Sequence, residues 1–228
     1  MFSKLFCCII LFTSLVFEND FQRAEVFFKQ EKYALAKPIF EKILKEEPNN
    51  LKTIEYLGDI AGIEKNWEDA INYYKKLKDN NPNNANYWYK FGGAMGMKAK
   101  SSNKFKALGM IDDVENAFLK AAQLDVKHID TRWALVMLYI ELPGIVGGSE
   151  RKAQKYSNEL MKLSKVDGFL SKGYIDEYFD RYKSAENNYL KAHEIGNSKT
   201  TFQKLYDLYQ NKLKDKQKAV KLKEQFQK

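Results

Sequence analysis

The 228-residue chain has two histidines, His128 and His193, and two cysteines, Cys7 and Cys8, which stand together near its start. A zinc site needs imidazoles or thiolates at ligand spacing. Neither histidine has such a partner close in sequence, so no metal site is expected. Ser149 follows Gly147 and Gly148, but a nucleophile elbow needs glycine on both sides of the serine, and Glu150 comes next. The run Gly92-Gly93-Ala94-Met95-Gly96-Met97-Lys98 looks like a phosphate loop yet lacks the glycine-lysine-hydroxyl ending. The carboxylates are scattered among lysines, which is the pattern of solvated helix faces. No residue set forms a catalytic constellation, and neither enzyme activity nor a cofactor is expected.

The elements that carry these residues read as helices. Apolar side chains recur at helical spacing, as in Ile39, Ile43 and Leu44 or Leu205, Leu208 and Tyr209, and only four prolines occur. With 44% apolar and 30% charged residues the chain can bury a core and keep a polar surface. An all-α fold is expected.

Residues 1–17 place Lys4 before an apolar run of 13 residues, Leu5 to Phe17. That run is short for a membrane span and fits the apolar region of a secretory signal. Export to the periplasm or cell envelope is expected, with an uncleaved anchor as the alternative. Both cysteines lie inside this segment, so the processed chain would hold no disulfide and no reactive thiol. They also precede the place a lipid-modified cysteine would occupy.

The formal charge is +8, and nine lysines against Asp207, Asp215 and Glu224 fall between Lys199 and the end. A solvated outer face on a terminal hairpin accounts for this. An anionic partner or a membrane surface meeting the basic C-terminal hairpin is the second reading. Nucleic acid is not an expected partner of an exported protein.

A motif of about 34 residues echoes along the chain. Tyr33 and Ala36, Trp67 and Ala70, and Tyr182 and Ala185 each set an aromatic three residues before an alanine, with Phe40, Tyr74 and Tyr189 four residues further on. Pro48 and Pro82 close the first two units. Leu57-Gly58, Trp88, Gly92, Phe118, Ala121, Leu135, Tyr139, Gly173 and Ala219 continue the pattern. These residues resemble the tetratricopeptide repeat, in which each unit is a helical hairpin stacked on the next. The resemblance implies one right-handed α-solenoid domain over 18–228, with about six units at 17–50, 51–84, 85–128, 129–165, 166–199 and 200–228. It also implies that Gly58 and Gly173 lie at helix crossings.

In that family the first helix of each hairpin lines a concave groove. Carried over unit by unit, the lining is Phe21 and Phe28, Glu55 and Asp59, Tyr89 and Met97, Trp133 and Met137, then Tyr174 and Tyr178. Such an aromatic, methionine-rich stripe suits a peptide, a helix or an apolar ligand. Any one of these side chains could instead fill core between hairpins. The lysine, asparagine and arginine set with which some members hold chaperone tails is replaced here by Phe21, Glu25, Glu55 and Asp59.

Two units carry extra residues. One insertion spans Lys98 to Lys106, with Lys98, Lys100, Lys104 and Lys106; the other is Pro143 to Ser149, with Gly147, Gly148 and Ser149. Insertions on one edge of a repeat protein often mark its binding side, but turn formation and capping by Ser149 make ordinary connection the expected reading and binding the alternative. The expected function is a non-catalytic scaffold of the cell envelope that binds a protein or peptide, in an oligomeric state the sequence leaves open. The alternative is a periplasmic ligand-handling subunit of a transport system, suggested by the similarity of the turn at Gly147-Gly148-Ser149 to one in repeat proteins associated with organic-acid transporters.

Overall fold

The computed structural model describes residues 20–226. The apolar run at 1–17, and with it the expected signal and both cysteines, lies outside the described residues. Those described are helical with no strand among them. Helix α1 covers 20–29. It is followed by α2 (Tyr33–Glu46), α3 (Leu51–Ile63), α4 (Trp67–Asn80), α5 (Ala85–Ser101), α6 (Lys104–Leu108) and α7 (Ile111–Leu124). Then come α8 (Ile129–Glu141), α9 (Glu150–Leu163), α10 (Lys165–Tyr178), α11 (Tyr182–Gly196), α12 (Lys199–Asp207) and α13 (Lys216–Phe226). A single π-helical turn, Leu208–Lys212, extends α12.

Among the described residues α1–α2, α3–α4, α8–α9, α10–α11 and α12–α13 pair as antiparallel hairpins, and the turns of four of them are built alike. Glu31, Lys65, Asp180 and Lys214 all take left-handed backbone, with φ between 56° and 59°. The first two lie one 34-residue period apart, as do the last two. At such a residue the chain leaves its first helix, and the amide of the next residue donates back five positions: Lys32 to Phe27, Asn66 to Ala61 and Arg181 to Asp176. These bonds are Schellman closures, which satisfy carbonyls that the helix end would leave bare.

Helix starts are fixed by side-chain caps. The oxygens of Asn50, Asn66, Asn84, Asn103, Ser149, Ser164 and Ser198 each accept an amide three residues on. Such caps satisfy an orphan N–H and stabilise by about 1 kcal/mol each.

The shared alanine sits where the second helix of a hairpin meets its neighbours. Ala36, Ala70, Ala153, Ala185 and Ala219 have no exposed surface. A larger side chain there would hold the helices apart. One turn further along the same helices, buried aromatics fill the hairpin: Phe40, Tyr74 and Tyr189.

The described residues divide into two compact units, one up to Met110 and one from Ile111 on. In the first, one core gathers Ala24, Phe40, Ile43, Leu57 and Ile60, and a second gathers Ile54, Ala61, Tyr74, Leu77 and Ala94. In the second, Leu170, Tyr189, Ala192, Leu205, Leu208 and Leu222 form a core across the last two hairpins. The first insertion follows α5, and the second falls inside the α8–α9 hairpin. The first becomes the end of α5 and the short α6; the second is a 3-10 turn, Gly144–Val146, before α9.

Candidate binding surface

The residues that could have done chemistry have structural duties. His128 caps α8, its Nδ1 accepting the Thr131 amide at 3.2 Å. His193 Nδ1 lies 3.0 Å from Thr201 Oγ1, and burial holds its pKa below the ordinary histidine value. Ser149 caps α9 by accepting the Lys152 amide, while its own amide donates to the Tyr139 carbonyl at 2.8 Å. The glycine-rich run 92–98 is helical throughout, lying within α5. No group of acidic, histidine or cysteine side chains able to hold a metal exists among the described residues.

In the first unit the lining expected from sequence divides into packed and charged parts. Phe28 packs edge-on against Tyr33 and Tyr56, with ring centres 5.4 and 4.8 Å away, so it belongs to the contact between hairpins. Phe21 meets Phe40 and Tyr56 in the same way. Glu55 and Asp59 are engaged by Lys90, whose Nζ lies 2.7 Å from an oxygen of each. Burial works against the Lys90 charge, but the Asp59 and Glu55 carboxylates outweigh it and raise its pKa above the usual lysine value. Tyr74 donates to Asp59 at 2.7 Å, completing a cluster that ties α3, α4 and α5 together. Tyr89 is half-buried and Met97 is exposed.

Among the basic insertion residues, Lys98 bonds Glu68, and Lys100 also has a partner. Lys104 and Lys106 stand in solvent on α6.

In the second unit α8 and α10 share a face. Trp133 Nε1 donates to Asp167 at 2.8 Å, and the indole packs against the Leu170–Tyr189 core. Tyr174 Oη donates to Glu141 at 3.1 Å. Burial, then the Glu141 charge, pushes the Tyr174 pKa upward, so the phenol keeps its proton and the bond persists. Two polar contacts, each spanning about one repeat, thus cross-link the first helices of adjacent hairpins. Beside them Met137 is 39% exposed, Tyr178 49% and Phe179 40%. Tyr178 and Phe179 meet edge to face at 5.3 Å, and the Arg181 guanidinium lies 5.0 Å from the Phe179 ring centre. Lys204 on α12 lies 5.8 Å from the Tyr174 ring. The face therefore carries exposed apolar side chains on cross-linked helices, with two cations, Arg181 and Lys204, against its rings.

The second insertion is shaped by its own backbone. Gly147 has φ 99°, and a Cβ on Gly148 would run into the Leu142 carbonyl. Both glycines are required by the turn itself. What the turn presents to solvent is Ile145, 94% exposed.

Sequence reasoning did not single out Arg132. It is 3% exposed and donates to the carbonyls of Ala122, Asp125 and His128 and to Glu159. It closes the C-terminal end of α7, where a cation is favoured, in place of a glycine cap. It also forms part of the wall of an open cleft of 480 Å³ lined by Leu119, Val126, Tyr156 and Leu163. A positive residue next to Trp133 in a helical pattern gives no sign of burial, which is why the pattern alone does not find it. Asp167 and Glu141 carry a signal, being 34 and 33 residues from the aromatics they bind.

The family model of the tetratricopeptide repeat matches residues 18–50. Solved structures extend the likeness over nearly the whole chain. PilW, a widely conserved type IV pilus biogenesis factor, superimposes with a TM-score of 0.68 at 15% identity, over 93% of this chain and 92% of its own. The chain has the tetratricopeptide-repeat fold. A thermophilic tetratricopeptide-repeat protein of Thermus thermophilus gives 0.66 at 15% identity, covering 81% of this chain and 93% of its own. YrrB, described as having an unusual peptide-binding site, gives 0.55 at 14% identity, covering 83% and 94%. No curated protein matches the chain in sequence. At these identities the likeness defines a tetratricopeptide-repeat α-solenoid and leaves the occupant of its surface to chemistry.

Proposed function

We propose that the chain is a non-catalytic protein-interaction scaffold of the cell envelope that binds a peptide or protein segment along the first-helix faces of its hairpins. The observation that carries this reading is the strip on α8 and α10. Met137 on α8, Tyr178 at the end of α10 and Phe179 just beyond it are large apolar side chains that reach water, and the two helices are pinned by Trp133–Asp167 and Tyr174–Glu141. Exposed aromatics on a preorganised frame supply contact area at small entropic cost, which is how interface anchors work. Met97 offers a further exposed apolar side chain on α5.

The envelope part of the proposal rests on the apolar run at 5–17 behind Lys4. It is supported by likeness of fold to a pilus biogenesis factor. The peptide part is supported by likeness of fold to a repeat protein with a peptide-binding site. No helix among the described residues is long and apolar enough to cross a membrane.

The test is capture from an envelope extract with the tagged chain and with Met137→Ser/Tyr178→Ser. A partner held by the wild type and lost by the double variant, with unchanged circular dichroism, supports the reading. Equal capture by both moves the site off this strip. Export is tested separately by fusing residues 1–25 to a reporter; a fusion retained in the cytoplasm overturns the envelope assignment.

A further inference from the structure

The five-residue helix α6 turns its apolar side chains outward. Phe105 is 88% exposed and Leu108 48% exposed. Three residues apart on a helix, they share one face. Lys104 and Lys106 flank Phe105 directly and are exposed. Between Lys98 and Met110 the chain holds four lysines and no carboxylate. A partly exposed Met97, at 43%, lies on the preceding helix. Asn103 caps α6 by accepting the Lys106 amide at 3.0 Å, so the aromatic is presented on an ordered turn.

We propose that α6 is a membrane-contact tip that seats Phe105 and Leu108 at the headgroup level of an anionic lipid surface. The composition decides between partners. A protein partner for a lone phenylalanine needs a pocket, and its affinity would come from that pocket, whereas a bilayer interface accepts a protruding apolar side chain of any shape. Lysines on both sides of the ring place their ammonium groups among lipid phosphates while their methylene stems follow the ring inward. Each such lysine strengthens attraction to an anionic leaflet, and the attraction falls off within a Debye length. The contact is therefore shallow, reversible and dependent on salt. It is separate from the α8 and α10 strip and stands or falls without it.

The experiment uses the full chain carrying Phe105→Trp, compared with the wild type, whose Trp67, Trp88 and Trp133 give the background. The probes are phosphatidylcholine vesicles with and without about 30% phosphatidylglycerol, some with brominated acyl chains. A blue shift and bromine quenching beyond the wild-type change, seen only with the anionic vesicles and lost at high salt, are the expected results. Adding Lys104→Gln/Lys106→Gln should weaken that response about tenfold or more. Because the readout sits at position 105, lipid binding through residues 1–17 cannot imitate it. No quenching beyond background, equal quenching in pure phosphatidylcholine, or a spectral shift with polyanions such as heparin but not with vesicles would each overturn the proposal.

Discussion

Tyr74 crosses Gly58 so closely that a Cβ on residue 58 would stand 2.7 Å from the ring's Cε1. Tyr189 repeats the arrangement over Gly173, sixteen residues apart in both hairpins, and a Cβ there would fall on the ring. The phenol then reaches past the glycine to a carboxylate on the same first helix: Asp59 at 2.7 Å and Glu177 at 2.9 Å. Gly58→Leu should destabilise the fold by roughly 1 to 3 kcal/mol, because the fully packed ring has nowhere to move. Gly93 is the contrast, since a Cβ there meets nothing within 4 Å. Gly93→Ala should stabilise α5 by about 0.5 to 1 kcal/mol through helix propensity. Melting curves that place the two variants on the same side of wild type would contradict the packing described.

Lys65 at φ 59° occupies a left-handed turn with a side chain that gains nothing from it. The left-handed region costs a non-glycine residue roughly 1 to 2 kcal/mol, partly offset by the entropy a glycine loses on folding. Lys65→Gly should raise stability by about 0.5 kcal/mol or more. Lys65→Val should lower it, and a denaturant titration ranking the two in the opposite order would refute the strain.

Six tyrosines, Tyr56, Tyr74, Tyr139, Tyr174, Tyr189 and Tyr209, have pKa values raised above the ordinary 10.0, first by burial and then by the carboxylates they bond. In the unfolded chain each ionises near 10.0, while the folded state keeps the proton. The folded state therefore binds more protons above that pH, and stability falls as pH rises through and beyond it. The raised lysines Lys37, Lys90 and Lys218 act in the same direction. Tyrosinate absorbance for these rings should grow together with loss of helix signal. Full ionisation at about pH 10 with the helices intact would show that the phenols are not buried.

Trp133 has two roles that a pair of substitutions separates. Its hydrogen bond to Asp167 is lost in Trp133→Phe, at a cost of about 1 kcal/mol. Trp133→Ala also removes ring packing against the Leu170–Tyr189 core and should cost about 3 kcal/mol or more. Loss of partner binding in the alanine variant is thus confounded by stability. Tyr178→Ala, on a half-exposed ring, should weaken binding about tenfold with a melting temperature close to wild type.

The hairpins were legible because an aromatic, a small residue and a second aromatic recur at fixed offsets, and those positions are the ones where helices touch. The turns were harder to see. Glu31, Lys65, Asp180 and Lys214 adopt left-handed backbone without being glycine, so punctuation by residue type is silent there, and only their 34-residue spacing betrays them. The candidate lining was read as a register, which says where a residue sits along a helix and not what its neighbours do with it. Phe28 is claimed by Tyr33 and Tyr56, and Glu55 and Asp59 by Lys90. Met137 and Tyr178, expected on the same basis, do reach solvent. Arg132 escaped notice because a charge in a helical pattern signals water, whereas here it meets the carbonyls that end α7.

The division at Met110 has a consequence for how the chain comes apart. Each unit carries buried cores of its own, those around Phe40 and Tyr74 in the first and that around Tyr189 in the second. Repeat proteins gain cooperativity from nearest-neighbour coupling, and where cores are separate, opening proceeds in contiguous blocks. Hydrogen exchange should therefore report two foldons, so that a lesion at Gly58 frays the amides of α3 and α4 while those of α10 and α11 keep their protection.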